Sequence, residues 1–230
     1  LLRCLAQSVI LSLPEAMMTC CPHCQGADRF FNQRVAAADL RKYRRHGPRG
    51  MTKRLLDTLR AAGVDGMTLL DIGGGIGVIQ HELSAAGVTD VTDVDASSAY
   101  LAMVRQEAEK RGYAARARYL HGDFVALAGQ IEPADIVTLD RVLCCYPDGV
   151  ALVNAAAARA KRFLGLIYPR DSWWARKGAV LLNLYPRLRN DPFRTYIHST
   201  AEVESTAADH GLRKVMYYRG LVWQVAVFGR

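Results

Sequence analysis

The sequence predicts a doubly wound α/β fold whose sheet is mostly parallel and ends in an antiparallel hairpin. Short apolar runs alternate with helical stretches, a glycine-rich turn follows the first of these runs, and the chain ends in two adjacent strand patterns. Alternation of strands and helices is typical of parallel sheets that helices cover on both faces. The chain has 230 residues, enough to bury one substantial core.

The individual elements follow from local patterns. A helix is predicted over 51–62, because Met51, Leu55 and Leu59 fall on one side of it. Apolar runs predict the strands, and amphipathic stretches predict the helices between them. The predicted strands are 68–72, 91–94, 118–121, 135–139 and 163–168, and the predicted helices are 77–86, 97–110 and 149–161.

The C-terminal part departs from this alternation. Ser199 and Glu202 form a capping-box pattern that begins a helix through Asp209. The following run, LRKVMYYRGLVWQVAVFGR, predicts two strands joined by a tight turn at Arg219 and Gly220. A parallel sheet completed by an antiparallel hairpin is therefore expected.

We divide the chain into an N-terminal extension, residues 1–50, and an α/β domain, residues 51–230. The extension holds a cysteine cluster and a basic lead-in segment. Within the domain, the insertion 171–198 contains Trp173, Trp174 and the apolar run AVLLNLYP, and it is too long and apolar for a plain connection. It is expected to be a core-packed helix, a lid over an acceptor pocket, or both.

A glycine-rich turn after the first predicted strand indicates a ligand close to the backbone. In LLDIGGGIGVIQ, Asp71, Gly73, Gly75 and Gly77 form the pattern D-x-G-x-G-x-G. A dinucleotide fingerprint needs a third glycine where this chain has valine or glutamine, and a P-loop needs Gly-Lys-Ser/Thr. Glycines let the backbone approach a ligand, and a helix N-terminus favours a carboxylate as well as a phosphate. The loop therefore favours a cofactor without a phosphate.

Acidic residues at two later strand ends support a nucleoside ligand. Asp95 ends the second predicted strand in TDVDAS, where a carboxylate can accept hydrogen bonds from both ribose hydroxyls. Asp123 follows the third predicted strand in HGDF, and Phe124 beside it can cover an aromatic ring. Three acids at successive strand ends are expected to share one site.

The loop, the acids and the final hairpin together resemble the class I S-adenosylmethionine-dependent methyltransferases, which have a Rossmann-like sheet of this kind. The resemblance implies an enzyme of class EC 2.1.1 whose cofactor is S-adenosyl-L-methionine, and an α/β domain that is the methyltransferase domain. It also implies that Asp123 lies against the adenine amino group. The residues expected to bind the cofactor are Tyr43, Asp71, Gly73, Gly74, Gly75, Gly77, Asp95, Ala96, Gly122, Asp123, Phe124 and Asp140.

The fourth predicted strand ends in DRVLCCYPD, which places candidates for the transfer site at the same edge of the sheet. Asp140, His198 or a tyrosine can take a proton from a hydroxyl or amine acceptor. Arg141 or Arg170 can instead orient a carboxylate by paired hydrogen bonds. The predicted catalytic residues are Asp140, Arg141, Tyr146 and His198.

The nature of the acceptor is less constrained. The run RFFNQRVAAADLRKYRRHGPRGMTKRLLDTL is similar to the lead-in helix of the magnesium-protoporphyrin O-methyltransferases, and the insertion has a similar position. The Asn/Asp-Pro-Pro-Tyr/Phe motif of base-directed amino-methyltransferases is absent. We predict a small-molecule methyl acceptor, with oxygen as a candidate atom, rather than nucleic acid. Methylation of RNA or of a thiol-bound metalloid, and a non-catalytic S-adenosylmethionine-binding module, remain alternatives.

The cysteines allow three interpretations, which are a zinc site, ordinary thiols, or thiols that converge on the transfer site. Cys20, Cys21 and Cys24 lie in the run CCPHC, but a structural zinc site usually has two such pairs. We therefore predict ordinary thiols and assign no metal ligand. The alternative is that these thiols reach Cys144 and Cys145 at the transfer site, where several thiolates would suit a soft metal or metalloid.

The charge pattern bears on the binding partner of the protein, and the N-terminal segment bears on its location. The formal net charge is +8, and the run 41–49, RKYRRHGPR, can be a solvated face, an RNA contact or a cover over the site. The apolar segment 1–18 is too short to span a bilayer and lacks a signal-peptide pattern, so Met17 or Met18 is a candidate start. We therefore expect no membrane span and a cytoplasmic protein with reduced thiols. The oligomeric state is not specified.

Overall fold

Seven strands form one sheet within residues 21–189 and 191–230, the part of the chain described by this computed structural model. The strand order is β3-β2-β1-β4-β5-β7-β6. β7 pairs antiparallel with β5 and β6, and the other four pairs are parallel, which confirms the predicted fold class. The strands are β1 (Thr68–Ile72), β2 (Asp90–Asp95), β3 (Ala117–His121), β4 (Ala134–Asp140), β5 (Ala160–Pro169), β6 (Arg213–Arg219) and β7 (Trp223–Gly229).

Helices cover both faces of the sheet. None of those in the described ranges is long and apolar enough to cross a membrane. The predicted apolar segment 1–18 and Cys20 lie outside the described residues. The helices are α1 (Pro22–Phe30), α2 (Gln33–His46), α3 (Gly50–Ala61), α4 (Val78–Ser84), α5 (Ser98–Lys110), α6 (Phe124–Leu127), α7 (Gly149–Arg159), α8 (Trp173–Leu182), α9 (Leu184–Leu188) and α10 (Thr200–Asp209).

Most boundaries shift by one to three residues from the prediction, and two of the shifts change a connection. The helix expected to continue to residue 161 ends at Arg159, and β5 begins at the next residue without a loop. The hairpin turn is longer than expected, because Arg219 still pairs with Gln224 and the turn occupies residues 220–222. Both differences arise from strand pairing, which extends β5 and β6 beyond their apolar runs.

The core lies on both faces of β5, whose apolar run is buried on each side as in other parallel sheets covered by helices. Leu166 and Tyr168 point to the face covered by α7 and α10. Ile167 points to the opposite face, where it joins Leu55 and Leu59 of α3. The predicted amphipathic face of α3 is therefore confirmed.

The N-terminal helices are packed onto the sheet rather than extending away from it. Ala36, Leu40 and Tyr43 of α2 form a buried cluster with Ile76 and Tyr100. Ile76 belongs to the glycine-rich turn and Tyr100 to α5, so α2 covers the carboxyl ends of β1 and β2. Residues 22–46 thus form a wall above the edge of the sheet where the candidate site lies.

The insertion 171–198 is not a core-packed helix, and that expectation is wrong. Only Ala175 and Ala179 of α8 are buried, whereas Leu181 is 69% and Leu188 of α9 is 84% exposed. The buried face of α8 consists of small residues, so it rests shallowly on the surface and its larger apolar side chains face outward. None of the described insertion residues lines the candidate site.

The end of the insertion instead supports α1. The ring of Phe193 stacks on Phe30, with centroids 4.4 Å apart, and meets Phe31 edge-on. Gly26 of α1 faces the same segment, where a Cβ would stand 2.6 Å from the backbone nitrogen of Phe193. Backbone atoms cannot move aside as a flexible side chain can, so only glycine allows this approach.

We predict that Gly26→Ala displaces α1 from the insertion. Alanine favours an isolated helix by up to about 1 kcal/mol over glycine, but overpacking against backbone typically costs about 1–3 kcal/mol. Amide hydrogen exchange over residues 22–30 should therefore become faster. Gly129→Ala is the matched control, because nothing lies within 4 Å of the added Cβ. Unchanged exchange in the Gly26 variant would contradict this packing.

Candidate active site

A cavity of about 630 Å³ lies beyond the carboxyl ends of β1, β2, β3 and β4, with α1 and α2 on its other side. This is the position at which open α/β sheets bind ligands. Gly77 and His198 lie outside its lining. The predicted site residues that line it are Tyr43, Asp71, Gly73, Gly74, Gly75, Asp95, Ala96, Gly122, Asp123, Phe124, Asp140, Arg141 and Tyr146.

The backbone path of the glycine-rich turn requires positive φ angles at three residues. Gly73, Gly75 and Gly77 have φ of 63°, 58° and 78°, which L residues with side chains rarely adopt. A Cβ on Gly73 would overlap the side chain of Val142, whereas nothing lies within 4 Å of that position on Gly75. Gly73 and Gly77 therefore shape the turn, and Gly75 leaves open space above it.

Two carboxyl groups are buried under this turn. Asp71 of β1 pairs with Asp93 of β2, and both side chains are almost completely buried. Asp71 accepts hydrogen bonds from Thr138 Oγ1 at 2.7 Å and Gln80 Nε2 at 3.2 Å. The oxygens of Asp93 have no aligned hydrogen bond, although Gln80 approaches them. Burial, together with the nearby charges of Asp71 and Asp95, raises the pKa of Asp93 well above its usual value, which favours its protonated form.

Asp95 connects β2 to the turn. Its Oδ2 accepts a hydrogen bond from the backbone N–H of Gly75 at 3.0 Å, and its Oδ1 accepts one from Ser97 at 2.7 Å. Burial raises the pKa of Asp95 to about 6, although these two donors lower it. Each carboxylate oxygen retains a free lone pair at the cavity wall.

Asp123 caps α6 and anchors a tyrosine. Its Oδ1 accepts the backbone N–H of Val125 at 2.9 Å, and the hydroxyl of Tyr146 lies 3.1 and 3.2 Å from its two oxygens. Burial and the nearby carboxylate raise the pKa of Tyr146. Tyr146 therefore stays protonated and acts as a donor rather than as a base.

Asp140 and Arg141 lie at the end of β4. Thr52 of α3 donates to Asp140 Oδ2 at 2.5 Å, and Arg141 Nη1 lies 3.1 Å from Oδ1 as an ion pair. Burial raises the pKa of Asp140, while Arg141 and Thr52 lower it. Arg141 is the one non-glycine residue of the described ranges with a positive φ, 62°. Such backbone strain is concentrated at functional positions.

Two residues proposed for the transfer site lie elsewhere. His198 Nε2 is 2.8 and 2.9 Å from the carbonyl oxygens of Leu143 and Tyr146, so it donates to both. It holds the loop after β4 and does not face the cavity, which does not agree with a catalytic role. Arg170 likewise donates to the carbonyl oxygens of Gly220 and Leu221 in the hairpin turn.

Comparisons with known proteins agree with this architecture. A family model described as a methyltransferase domain matches residues 69–164. The ubiquinone biosynthesis O-methyltransferase of Pseudomonas paraeruginosa (strain DSM 24068 / PA7) is 31% identical over 160 residues, which cover 66% of this chain and 66% of that protein. Thus the chain spans slightly less than two thirds of the length of this curated relative.

Solved structures show the same fold. Magnesium protoporphyrin IX methyltransferase from Synechocystis PCC 6803 with bound SAH has a TM-score of 0.60 at 20% identity, covering 90% of this chain and 86% of that one. An O-methyltransferase family protein from Burkholderia thailandensis has a TM-score of 0.60 at 15% identity, covering 87% and 63%. The family model, the curated relative and the strand order all indicate a methyltransferase domain.

Residues 69–164 belong to the methyltransferase domain family, and the described fold is that of the class I S-adenosylmethionine-dependent methyltransferases. The predicted family and its cofactor, S-adenosyl-L-methionine, are confirmed. The cavity of this methyltransferase fits the cofactor, because open space lies above Gly75 and the carboxylate of Asp95 stands at the wall. No phosphate-binding lysine is needed for such a ligand.

Several residues of the methyltransferase site were missed by sequence reasoning. Asp93 could have been found, because it lies two residues before Asp95 and strand alternation places both on one face. Thr52 and Tyr100 carry no local signal, since they reach the site only through the packing of α3 and α5. Tyr43 was predicted, but its hydroxyl donates to Glu82 at 2.9 Å.

We predict that Asp93→Asn stabilises the methyltransferase. The raised folded-state pKa means that the unfolded chain ionises first as pH rises, so this carboxyl lowers stability progressively above pH about 4. The advantage of the variant should grow by up to about 1.4 kcal/mol per pH unit until the folded-state pKa is reached. Urea denaturation at several pH values measures it.

Asp90→Asn, at the exposed start of the same strand, is the control for this measurement. Its stability should follow the wild type across the same pH range. An Asp93 variant that is less stable than the wild type at neutral pH would contradict the assignment of a protonated, unpaired carboxyl.

Proposed function

We propose that this methyltransferase transfers a methyl group to an oxygen of a small, negatively charged organic acceptor. The observation that carries the proposal is the placement of Asp140 in a cavity whose lining also includes Lys42, Arg49 and Arg141. A carboxylate that can accept a proton thus lies among cations that can orient an acidic molecule. The O-methyltransferase name of the curated relative supports oxygen as the acceptor atom.

The cofactor end of the cavity is proposed to lie between the glycine-rich turn and β3. Asp95 would accept hydrogen bonds from the ribose hydroxyls, and Phe124, beside Asp123, would face the adenine. The backbone of Gly73, Gly74 and Gly75 would adjoin the amino-acid part. When bound, the cofactor supplies an electrophilic methyl group on a sulfonium.

The acceptor end is proposed to lie near the end of β4. Asp140 would take the proton of a hydroxyl acceptor, and Thr52 and Arg141 hold its carboxylate in one orientation. Positioning of the reacting groups and proton removal each contribute to such a displacement. α1 and α2 would exclude water from this space, and the insertion 171–198 would brace α1 instead of acting as a lid.

The basic run 41–49 does not form one open surface, which disfavours RNA as the acceptor. Arg44 forms an ion pair with Glu107, and Tyr43 is buried. Lys42 and Arg49 line the cavity. A backbone-binding strip would need these charges to be free together on one face. The thiols in the cavity wall favour a reducing location, and we propose the cytoplasm.

The direct test supplies methyl-labelled S-adenosylmethionine with a panel of phenols and carboxylic acids and with a metabolite extract. Label in a small acidic product, together with release of S-adenosylhomocysteine, is the expected result. Label found only in added RNA would refute the small-molecule acceptor. Cofactor binding by calorimetry without any S-adenosylhomocysteine would instead favour a non-catalytic binding module.

We predict that Asp95→Asn raises the Kd for S-adenosylmethionine at least about tenfold. Hydrogen bonds to a charged acceptor contribute about 1.5–3 kcal/mol, and about 1.4 kcal/mol corresponds to a tenfold change. Because the pKa of Asp95 is raised to about 6, wild-type affinity should fall as pH decreases below this value, when the carboxylate takes up a proton. Calorimetry between pH 5 and 8 measures both effects.

Asp90→Asn again serves as the control, since it makes the same chemical change at the far end of β2. The Asp95 variant should also lose the pH dependence of affinity. If its affinity and pH profile match those of the wild type, Asp95 does not contact the cofactor.

We predict that Asp140→Asn lowers kcat by about 100-fold or more, which is the usual contribution of a general base. The Kd for S-adenosylmethionine should change much less, because the amide keeps the size of the side chain. Glu132→Gln, an exposed carboxylate before β4, controls for the loss of charge. Unchanged turnover would remove Asp140 from the mechanism, and a large rise in Kd alone would assign it to cofactor binding.

A further inference from the structure

Among the described residues, four potential metal ligands from two distant parts of the chain meet at the edge of the cavity. They are the thiols of Cys21 and Cys24, the imidazole of His23 and the carboxylate of Asp123. One ligand atom from each lies within 4.8 Å of every other. Three of them come from the first turn of α1 and the residue before it, and the fourth comes from the junction of β3 and α6.

The distances suit a tetrahedral ion. Cys21 Sγ lies 3.3 Å from His23 Nε2 and 3.5 Å from Asp123 Oδ2, and the last two atoms are 3.5 Å apart. Ligands of tetrahedral zinc are about 3.3–3.8 Å from one another, given bonds of about 2.0–2.3 Å. The two sulfurs, at 3.0 Å, would need to separate by less than about 1 Å to reach this arrangement.

The surroundings resemble those of a metal site. Cys24 is buried, and the side chains of His23 and Asp123 are 21% and 16% exposed. Tyr146 donates to Asp123, and the N–H of Val125 binds its Oδ1, so the carboxylate has a defined orientation. Partners that orient a ligand in this way are usual around protein metals.

We propose that the thiolates of Cys21 and Cys24, Nε2 of His23 and Oδ2 of Asp123 bind one Zn²⁺ ion. The two sulfurs, one nitrogen and one oxygen that the described residues supply match the ligand number of a four-coordinate structural zinc site. Binding releases the two thiol protons to solvent. The ion joins α1 to the β3–α6 junction, and thereby holds the wall that contributes His23, Cys24 and Ala27 to the cavity.

A redox-active dithiol is the main competing interpretation, because Cys21 and Cys24 have C-x-x-C spacing at the start of a helix. Such a pair needs only the two sulfurs. The convergence of His23 and of Asp123, 102 positions after Cys21, on the same point is explained by a metal and not by a disulfide.

Metal content provides the first test. Full-length protein purified under reductant and without chelator should contain one zinc per chain by inductively coupled plasma mass spectrometry. The double variant Cys21→Ser/Cys24→Ser should retain less than about a tenth of this zinc, because both thiolate bonds are lost. Cys144→Ser, which changes a buried cysteine outside the four-ligand group, should retain all of it. Wild-type zinc content in the double variant would overturn the proposal.

Single variants keep the test valid if the double variant does not fold. His23→Gln and Asp123→Asn should have the same circular dichroism spectrum as the wild type, which shows that they fold. Each should bind zinc at least tenfold more weakly than the wild type in competition with a chromophoric chelator. Zinc added to metal-free wild type should slow hydrogen exchange over residues 22–30. Unchanged affinity in both variants would refute the ligand set.

A redox-active pair of cysteines would give a different result in these measurements. Metal-free wild-type protein with a Cys21–Cys24 disulfide, detected by intact mass and peptide mapping after anaerobic lysis, would overturn the zinc site. None of these measurements requires a methyl acceptor, so their result is independent of the proposed methyl transfer.

Discussion

The close packing of the glycine-rich turn on the ends of β1 and β2 is the contact on which the site depends. A Cβ on Gly74 would stand 2.7 Å from carboxyl oxygens of both Asp71 and Asp93. A larger residue would have to displace these buried side chains, whereas glycine lets the turn lie directly on the strands and direct the amide of Gly75 toward Asp95. The turn lies close to the strands because Gly74 has no side chain. The upper surface of the turn forms the floor of the cavity.

This arrangement places two carboxyl groups where water cannot reach them. An ionised carboxylate in such a place is costly, so burial raises the pKa of both acids. Asp71 has Thr138 and Gln80 as hydrogen-bond donors, whereas Asp93 has no aligned donor. The buried acids therefore differ in role from Asp95 at the cavity wall. One strand end carries both a structural acid and a candidate ligand-binding acid.

Part of the cavity wall comes from segments outside the matched methyltransferase region. α2 packs Tyr43 near the glycine-rich turn, and α1 is supported by Phe193 from the insertion. The matched region contains the strands up to β4 and the glycine-rich turn, whereas α1 and α2 line the opposite side of the cavity. Function in a widely used fold is determined by such added parts rather than by the sheet. The proposed zinc site would act on the same wall, through α1.

The sequence by itself determined the order of strands and helices, the glycine-rich turn and the acids at the strand ends. These features are local, because periodicity, glycine spacing and strand ends are each contained in a short stretch. Only the tertiary structure decided that His198 binds carbonyl groups, that α8 exposes Leu181, and that Cys21 meets Asp123. These outcomes depend on which distant segments pack together, and no local pattern specifies that.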